Sequence, residues 1–457
     1  MSGPKVVRIV TREEMEAICR REIAFARAAA DELVRICADA GRPTGDIEIG
    51  AHHSLEQLTA LLSAGRYLDV QKQAPEVAAF MRSESDRITH EAIAATEADH
   101  QRRRRLADSA TSLIDALKAA QQPVPADLSA VCATLDGADE ATLVRLRAVL
   151  DQAFRLLVPV HTAERLGEDG MRLAERLAAE QGVAVTLEQW TSLKVPSEPS
   201  EARIQTAVAT LDALTDVDSA VELRARLEAM RRAPSDKRAL IADSLLLEAS
   251  RRVRRIREET SLRSRLCEAK AGLEAVGTTA SLAHAVNIEG VLEGGDFTEA
   301  ERLLSEAAAL SEREVANIAA IARRKSVLTG LASLGYEVRE GMMTAWVRDG
   351  RVVVRKPGMT DYGVEIGAPT DVSRLQVRLV GSDRPATPRN NQRDLDHEVA
   401  WCSEVGQLEE IIRGAGGAFF LDRSSEPGAH AVKTVRFEND PVAHATGSLA
   451  TNERRWT

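Results

Sequence analysis

The sequence predicts a mainly α-helical protein: an elongated helical or coiled-coil bundle, followed by a small C-terminal α+β domain with an antiparallel sheet. Three observations predict this class. The stretch Glu76–Gln122 contains neither glycine nor proline, and a continuous helix over it would be roughly 70 Å long. Aromatic residues make up only 3% of the chain, which favours narrow helix–helix seams over one large core. Beyond Gly330 the composition changes to runs that are typical of strands.

Composition and charge argue against several classes of protein. The 457 residues carry a formal net charge of −10, which disfavours a nucleic-acid footprint along the whole chain. The five cysteines are scattered and never form a CxxC pair, so we expect neither a disulfide framework nor a zinc site. No apolar run approaches the ~18 residues of a membrane helix. We therefore expect a cytoplasmic protein without membrane segment, cofactor or metal.

Residues 1–74 predict a strand followed by short helices. The segment Lys5–Val10 is rich in β-branched residues and predicts a strand. Because a lone strand is unstable, we expect it to join a sheet of this chain or of a partner. A capping box at Thr11 starts a helix that runs to about Asp39, and Gly41–His53 is expected to be a loop. The residues that would dock the strand are Val6, Val7, Ile9 and Val10.

Residues 75–195 predict one long helix, here called the rod, and then helical hairpins. Pro75 suits the first turn of the rod, because that position needs no N–H donor. Apolar residues recur at three- and four-residue spacing on both sides of Thr96–Arg105, here called the polar centre, which has no large apolar residue. We expect the seam to be weakest there, so that the polar centre is either a bend or a contact point.

Residues 196–329 predict a second helical or coiled-coil region. The segment Val195–Ser200 contains two prolines and two serines, which is typical of a linker. Helices of about 201–232 and 235–271 follow, separated at Pro234. A glycine-free stretch from Asp296 to Thr329 predicts another long helix.

Residues 330–438 predict a compact α+β domain, and residues 439–457 predict a disordered tail. Asp349-Gly350 favours a type I′ hairpin turn, because both central residues of that turn take positive φ. Asn391–Arg413 has the spacing of an amphipathic helix. The segments predicted as strands are Tyr336–Glu340, Thr344–Arg348, Arg351–Arg355, Tyr362–Ile366, Leu375–Val380 and Ala418–Asp422.

Two runs of arginine are candidate contact sites for a polyanion or another partner. Successive helical residues are about 100° apart, so four arginines in a row point nearly all round the helix, and a solvated surface competes with a binding role. If the two runs met in a folded hairpin, they would form one positive surface. No aromatic residues are interleaved with them, which disfavours recognition of single strands. The candidate residues are Arg102, Arg103, Arg104, Arg105, Arg251, Arg252, Arg254 and Arg255.

A metal site is a weaker hypothesis. Asp394 and His397 have the i, i+3 spacing of a ligand pair, but the sequence offers no evident second pair of ligands. An acidic residue at a helix start is better explained by its interaction with the helix dipole.

An enzyme is also a weaker hypothesis. Asp361, Glu365 and Arg378 resemble in part the acidic-plus-basic sheet of restriction-type nucleases, but Gly367 stands where that fold expects a lysine. The Walker A, G-x-S-x-G and H-E-x-x-H motifs do not occur in the sequence. We therefore expect no catalytic residues.

The favoured hypothesis is a non-enzymatic coiled-coil scaffold or adaptor, in which helices set a distance and the C-terminal α+β domain docks a protein partner. Homo-oligomers are compatible with this hypothesis. The layout is similar to that of subunits of bacterial multi-protein systems, including defence systems. The alternative is a nucleic-acid-associated accessory protein that contacts phosphates through arginine-rich helices beside an ATPase or nuclease partner. The two hypotheses differ in whether both arginine runs lie on one surface.

Overall fold

The computed structural model describes residues 5–128, 135, 139–157, 199–368 and 374–437. These residues are mainly helical and carry a small, largely antiparallel sheet, so the predicted fold class is confirmed at this level. Coiled-coil packing stays a prediction. Most of the predicted linker and all of the predicted tail lie outside the described residues.

Long helices make up most of the described chain. Their length follows from the local sequence, which is rich in the good helix formers Ala, Leu, Glu and Arg and contains few glycines and prolines. The helices are α1 Arg12–Asp39, α2 Gly45–Ser63, α3 Tyr67–Ala119, α4 Glu140–Leu157, α5 Pro199–Ala213, α6 Val217–Arg232, α7 Ser235–Val276, α8 Thr279–Gly294, α9 Ala300–Ser333, α10 Met342–Asp349 and α11 Asn391–Gly414.

The predicted rod is one continuous helix, α3, with 53 residues. It begins at Tyr67, and Pro75 lies inside it, so the prediction that Pro75 occupies the first turn is wrong. The start is set further upstream, because Gly65 takes a left-handed φ of 72° and turns the chain immediately before α3. An internal proline removes one backbone hydrogen bond, which a helix of this length can lose.

Two other helix boundaries differ from the predictions. The segment Gly41–His53 is not a loop throughout, because α2 already begins at Gly45. The sequence Ser54-Leu55-Glu56-Gln57 predicts a capping box that opens a helix, and this prediction is wrong, because Ser54 lies inside α2. Its hydroxyl donates a hydrogen bond to the Gly50 carbonyl at 3.0 Å. The helix expected over residues 201–232 is divided into α5 and α6, where Thr215 takes a φ of 64°.

The sheet joins an early strand to strands more than 340 residues later in the chain. Its strands are β1 Lys5–Val10, β2 Arg351–Val354, β3 Tyr362–Gly367, β4 Arg374–Ser382, β5 Ala418–Arg423 and β6 Lys433–Val435. The antiparallel order is β2-β3-β4-β1-β5, and β6 pairs with β4 in parallel. β1 thus lies between two strands of the C-terminal region and pairs within its own chain.

One predicted hairpin is wrong. Thr344–Arg348 lies inside α10, and Gly350, with a φ of 67°, ends that helix instead of turning between two strands. The physical reason is Trp346, which is 1% exposed and belongs to the core cluster. Its burial from a short helix stabilises that helix against the local β propensity.

A second predicted strand, Tyr336–Glu340, is also wrong. Among the described residues it contributes only one bridge, from Glu337 to Arg355. The Tyr336 ring packs edge-on against Trp401 at a centroid distance of 6.2 Å. Its hydroxyl donates a hydrogen bond to Glu404 at 2.5 Å. Packing of this tyrosine against α11 therefore replaces a regular strand.

The described residues divide into two compact units, and α1, α2, α3 and α7 each contribute to both. The first unit contains the described parts of residues 1–31, 48–81 and 264–457. The second contains those of residues 32–47 and 82–263. The predicted boundaries at residues 75, 196 and 330 stay predictions.

The core of the first unit lies between one face of the sheet, the inner face, and helices α9, α10 and α11. Val7 and Ile9 of β1 and alternate residues of β3 and β4 are buried there. Gly330 of α9 lies directly against Leu408 of α11, and a Cβ at this glycine would overlap the Leu408 Cδ1. The inner face is therefore closely packed.

The second unit has two apolar clusters. Leu113 and Leu117 of α3 pack with Leu143 and Leu150 of α4. The other cluster joins α5, α6 and α7. The polar centre of α3 belongs to neither cluster, so apolar packing does not account for its contacts.

Candidate functional site on the outer face of the sheet

The face of the sheet opposite the core is here called the outer face. Its residues follow from the register, because residues directly opposite each other share a face. Arg8 pairs with Arg374, and Glu365 pairs with Arg378. The charged residues that the register places on the outer face are Arg8, Arg351, Arg374, Arg378, Arg423, Lys433 and Glu365. Asp422 has no partner in the register and is assigned to this face by its contact with Arg374.

Glu365 is the buried anion of the outer face, with 3% of its surface exposed. It accepts hydrogen bonds from Arg378 at 2.5 Å and from Lys433 at 3.0 and 3.1 Å. Arg351 reaches it at 3.4 Å. Burial opposes its ionisation, but the hydrogen bonds from the cations outweigh burial and lower the pKa of Glu365 below its ordinary value. One carboxylate thus neutralises only part of the surrounding positive charge.

A cavity of about 350 Å³ opens on the outer face beside Glu365. The residues that line it include Arg351, Gln376, Arg378 and Asp349. The Asp349 carboxylate forms an ion pair with Arg348 at 2.8 Å. The Arg351 side chain is 63% exposed. Guanidinium groups present their donors in a planar fork that fits carboxylate and phosphate oxygens. The cavity is therefore suited to an anionic group.

The β5 end of the outer face carries an exposed aromatic ring. Phe420 is 43% exposed, and the guanidinium of Arg8 lies 4.5 Å from its centroid. Arg374 reaches Asp422 at 3.5 Å. Neither Arg8 nor Arg423 has a carboxylate within 4 Å among the described residues. Arginine and an exposed aromatic residue are the side chains that most often anchor protein interfaces.

The four arginines of α3 do not form one patch. Arg102 and Arg104 pair across to Glu140 of α4 and Glu201 of α5, the latter at 2.5 Å. Arg103 pairs within its own helix at 2.6 Å. These arginines therefore tie helices of the second unit together.

Most of the arginines predicted on α7 are also paired. Arg252, Arg254 and Arg255 each have a carboxylate within 4 Å. Arg251, and Arg105 on α3, have none in the described part of the chain. Ion pairing leaves fewer of the predicted arginines free for phosphate, and a surface shared by both runs stays a prediction.

The polar centre of α3 is a contact point. Glu97 accepts a hydrogen bond from the Thr206 hydroxyl of α5 at 2.8 Å. His100 Nε2 lies 3.0 Å from a carboxylate oxygen of Asp212, also on α5. With Arg104 and Glu201, these polar pairs hold α5 beside a segment that lacks large apolar residues.

The strand residues predicted for docking divide between the two faces of the sheet. Val7 and Ile9 face the core and are 1% and 0% exposed. Val6 and Val10 lie on the outer face and are half-buried. The strand is thus engaged on both edges by its own chain.

Asp394 and His397, predicted as a metal-ligand pair, lie against Tyr362. The Tyr362 hydroxyl donates to Asp394 at 2.6 Å, and Arg389 donates to the same carboxylate at 2.8 Å. Burial opposes ionisation, but these bonds outweigh it and lower the pKa of Asp394. The His397 ring stacks at 4.0 Å on Tyr362, and burial lowers its pKa. Among the described residues no group of three potential ligands is placed to hold a metal.

The acidic residues predicted to resemble a nuclease site have separate partners. Asp361 accepts the backbone N–H groups of Ala386 and Thr387 at 2.7 and 3.3 Å. It thereby fixes the loop between β4 and α11. Glu365 is held by the cations of the outer face.

Sequence reasoning missed the outer face as a single surface. Alternation along β1 and β4 carries the signal for Arg8, Arg374 and Arg378, because these residues take the positions between apolar ones. Lys433 lies in a strand of three residues, which is too short to show alternation. Arg423 follows an irregularity in the β1–β5 register, so its face cannot be assigned by counting.

Comparisons with known proteins give no relative: no protein-family model matches the chain, and neither the curated proteins nor the solved structures contain a match. Across the described residues, no helix combines the length and apolarity that crossing a bilayer requires. The function has to be argued from the site itself.

Proposed function

We propose that this chain is a non-enzymatic adaptor whose C-terminal α+β domain docks an acidic segment of a protein partner on the outer face of its sheet. The observation that supports the proposal is the charge of that face. Six cations and two carboxylates lie on this face. Four of the cations are exposed: Arg8, Arg351, Arg374 and Arg423. Complementary charge steers association and selects among partners.

The exposed arginines give the proposal a measurable signature. Cations at the rim of an interface mainly raise the association rate, and salt screens them over about 10 Å at 0.1 M. Binding should therefore weaken as salt is raised. The assignment to bacterial multi-protein or defence systems remains a hypothesis based on layout.

The experiment cross-links the full-length tagged chain in extracts of its native source and identifies partners by mass spectrometry. The test variant combines Arg8→Glu, Arg374→Glu and Arg423→Glu. Its matched control combines Arg251→Glu, Arg254→Glu and Arg257→Glu, three exposed arginines of α7. We expect an acidic partner that the test variant loses and the control retains. The opposite pattern, or no dependence on either triple change, would contradict the proposal.

A nucleic-acid-associated role is the second candidate. It is favoured by Arg105 and Arg251, which have no carboxylate partner in the described residues. Each phosphate contact contributes to a steep linear fall of log binding constant with log salt concentration. Fluorescence anisotropy with a DNA or RNA probe should then show binding that the α7 triple variant loses. The adaptor proposal expects no such loss.

A further inference from the structure

Strand β5, Ala418–Arg423, forms one edge of the sheet. It comes last in the order β2-β3-β4-β1-β5 and, in the described part of the chain, pairs only with β1. Successive residues of a strand direct their backbone N–H and C=O groups to opposite edges, so alternate residues of β5 direct these groups away from β1. Among the described residues no hydrogen bond from another segment reaches them. The free edge of β5 therefore presents unused donors and acceptors to a further strand.

The side chains of β5 show that this edge is open on both faces of the sheet. Phe419 is 3% exposed, but the four residues after it are all exposed. Phe420 pairs with Arg8 and lies on the outer face, whereas Leu421 pairs with Val7 and lies on the inner face. Their exposed fractions are 43% and 49%. A strand added beside β5 would cover an apolar side chain on each face.

The opposite edge of the sheet, β2, already has a neighbour at one end. Glu337 donates its backbone N–H to the Arg355 carbonyl at 2.7 Å, immediately after β2. β2 has four residues, whereas β5 has six. β5 therefore offers the longer free edge.

Two arginines place positive charge beside the free edge of β5. The Arg8 side chain extends from β1 across β5, so that its guanidinium lies 4.5 Å from the centroid of the Phe420 ring. Arg423 lies on β5 itself and is exposed. The carboxylate of this strand, Asp422, contacts Arg374 at 3.5 Å. Neighbouring strands are about 4.8 Å apart, so a carboxylate on an added strand would come within reach of Arg8 and Arg423.

We propose that the acidic segment of the partner binds as an additional strand beside β5, and that it alternates acidic and apolar residues; this inference rests on the proposed function. Successive side chains of a strand point to opposite faces. Every second residue would therefore place a carboxylate on the outer face beside Arg8 and Arg423. The residues between them would cover Leu421 on the inner face. Backbone hydrogen bonds give an added strand its affinity, and the alternate side chains give it specificity.

The experiment measures the binding of fluorescent peptides to the intact full-length chain by fluorescence anisotropy. The alternating peptide is Val-Glu-Val-Glu-Val-Glu-Val, and its control has the same composition in the order Glu-Glu-Glu-Val-Val-Val-Val. We expect the alternating peptide to bind at least about tenfold more tightly, because only this order places all carboxylates on one face. Arg8→Glu should weaken its binding about tenfold. The control Arg251→Glu, at an exposed arginine of α7, should not.

Backbone methylation separates strand addition from attraction by charge alone. One form of the alternating peptide is N-methylated at every valine, and the other at every glutamate. In an extended peptide the N–H groups of the valines point to one edge and those of the glutamates to the other. Only one form can then keep its N–H donors for β5. We expect the other form to bind at least about tenfold more weakly, because it loses several hydrogen bonds.

A photoreactive leucine in place of one valine locates the bound peptide, and we expect cross-links to residues 418–423. Equal binding of the two methylated forms, or cross-links confined to the cavity beside Glu365, would overturn strand addition and leave docking on the outer face in place. No binding of any acidic peptide at low salt would overturn both. A dimer that the alternating peptide dissociates in analytical ultracentrifugation would assign the edge to a second copy of the chain and overturn the proposal.

Discussion

At the scale of single residues, Glu365 keeps the cations of the outer face together. Arg378 and Lys433 approach the same carboxylate, and without it their charges would repel each other at short range. The charge of this one side chain therefore supports both the stability of the sheet and the geometry of the cavity beside it.

Glu365→Gln tests this role with little change of shape. We expect a loss of about 1–3 kcal/mol in the free energy of unfolding at pH 7, because the cations lose a buried counter-charge. The pKa of Glu365 is lowered in the folded state, so its contribution is complete above the unfolded pKa near 4.3 and is lost as pH falls through the folded pKa. Urea unfolding at pH 7 and at progressively lower pH measures both effects.

The control for Glu365 is Asp422→Asn on the same face. Its partner Arg374 has a side chain that is 68% exposed, and the two groups are 3.5 Å apart. Exposed pairs contribute less than about 1 kcal/mol. A larger loss for Asp422→Asn than for Glu365→Gln would contradict the central role of Glu365.

At the scale of elements, the contact between α9 and α11 depends on Gly330. Gly330→Ala should reduce stability by about 1–2 kcal/mol, because the cost of overpacking against Leu408 exceeds the gain in helix propensity. Thermal unfolding followed by circular dichroism measures the change. Adding Leu408→Val to the alanine variant should restore part of the loss.

Gly290→Ala is the matched control. Gly290 also lies inside a helix, but a Cβ added there would have no neighbouring atom within 4 Å. Replacing Gly290 by alanine should raise the free energy of unfolding by about 0.5–1 kcal/mol through helix propensity alone. If both glycine variants shifted the melting temperature in the same direction, close packing at Gly330 would not be the cause.

The contact between α3 and α5 depends on polar pairs. Glu201 accepts from Arg104 at 2.5 Å and from Arg231 at 2.7 Å, and its side chain is 13% exposed. Glu201→Ala should therefore lower the free energy of unfolding by about 1–3 kcal/mol, because two partly buried cations lose the carboxylate that they share. The backbone amides of α5 should exchange their hydrogens faster in this variant than in the wild type.

Arg105→Ala is the control for Glu201→Ala. Arg105 is exposed, and no carboxylate lies within 4 Å of it in the described part of the chain. Its removal should change stability by less than about 0.5 kcal/mol. An equal effect of the two substitutions would show that the polar centre does not depend on these specific pairs.

Most helices could be predicted from the sequence, and the sheet only in part. The long helices α3, α7 and α9 follow from local composition, which acts within each segment. By contrast, α10 depends on the burial of Trp346, and the position of β1 depends on strands far away in the chain. The arginine runs were visible as motifs, but their carboxylate partners on α4 and α5 are tertiary contacts that local patterns do not contain.

At the scale of the whole molecule, the strand Lys5–Val10 and strands between residues 351 and 435 fold as one sheet. Residues 330–438 alone lack β1, which pairs with both β4 and β5. A fragment of these residues should be largely unfolded, because it loses the burial of Val7 and Ile9 and the pairing of two strands. Heteronuclear NMR spectra of the fragment measure this.

A synthetic peptide of residues 5–11 should restore folding of that fragment. The control peptide carries Val7→Asp and Ile9→Asp, which place charges on the buried face of the strand. Dispersed NMR signals from the fragment without any peptide, or equal rescue by both peptides, would contradict the structural requirement for β1.

The central position of β1 also orders events during biosynthesis. Lys5 is synthesised about 370 residues before its partner Val377. At synthesis rates of about 5–20 residues per second, this delay amounts to roughly 20–70 s. Throughout that time a β-branched segment has no neighbouring strand and is exposed to association with other nascent chains. This strand is synthesised long before both of its partner strands and can pair only after they are made. A chaperone that covers residues 5–10 would therefore protect the chain during this delay.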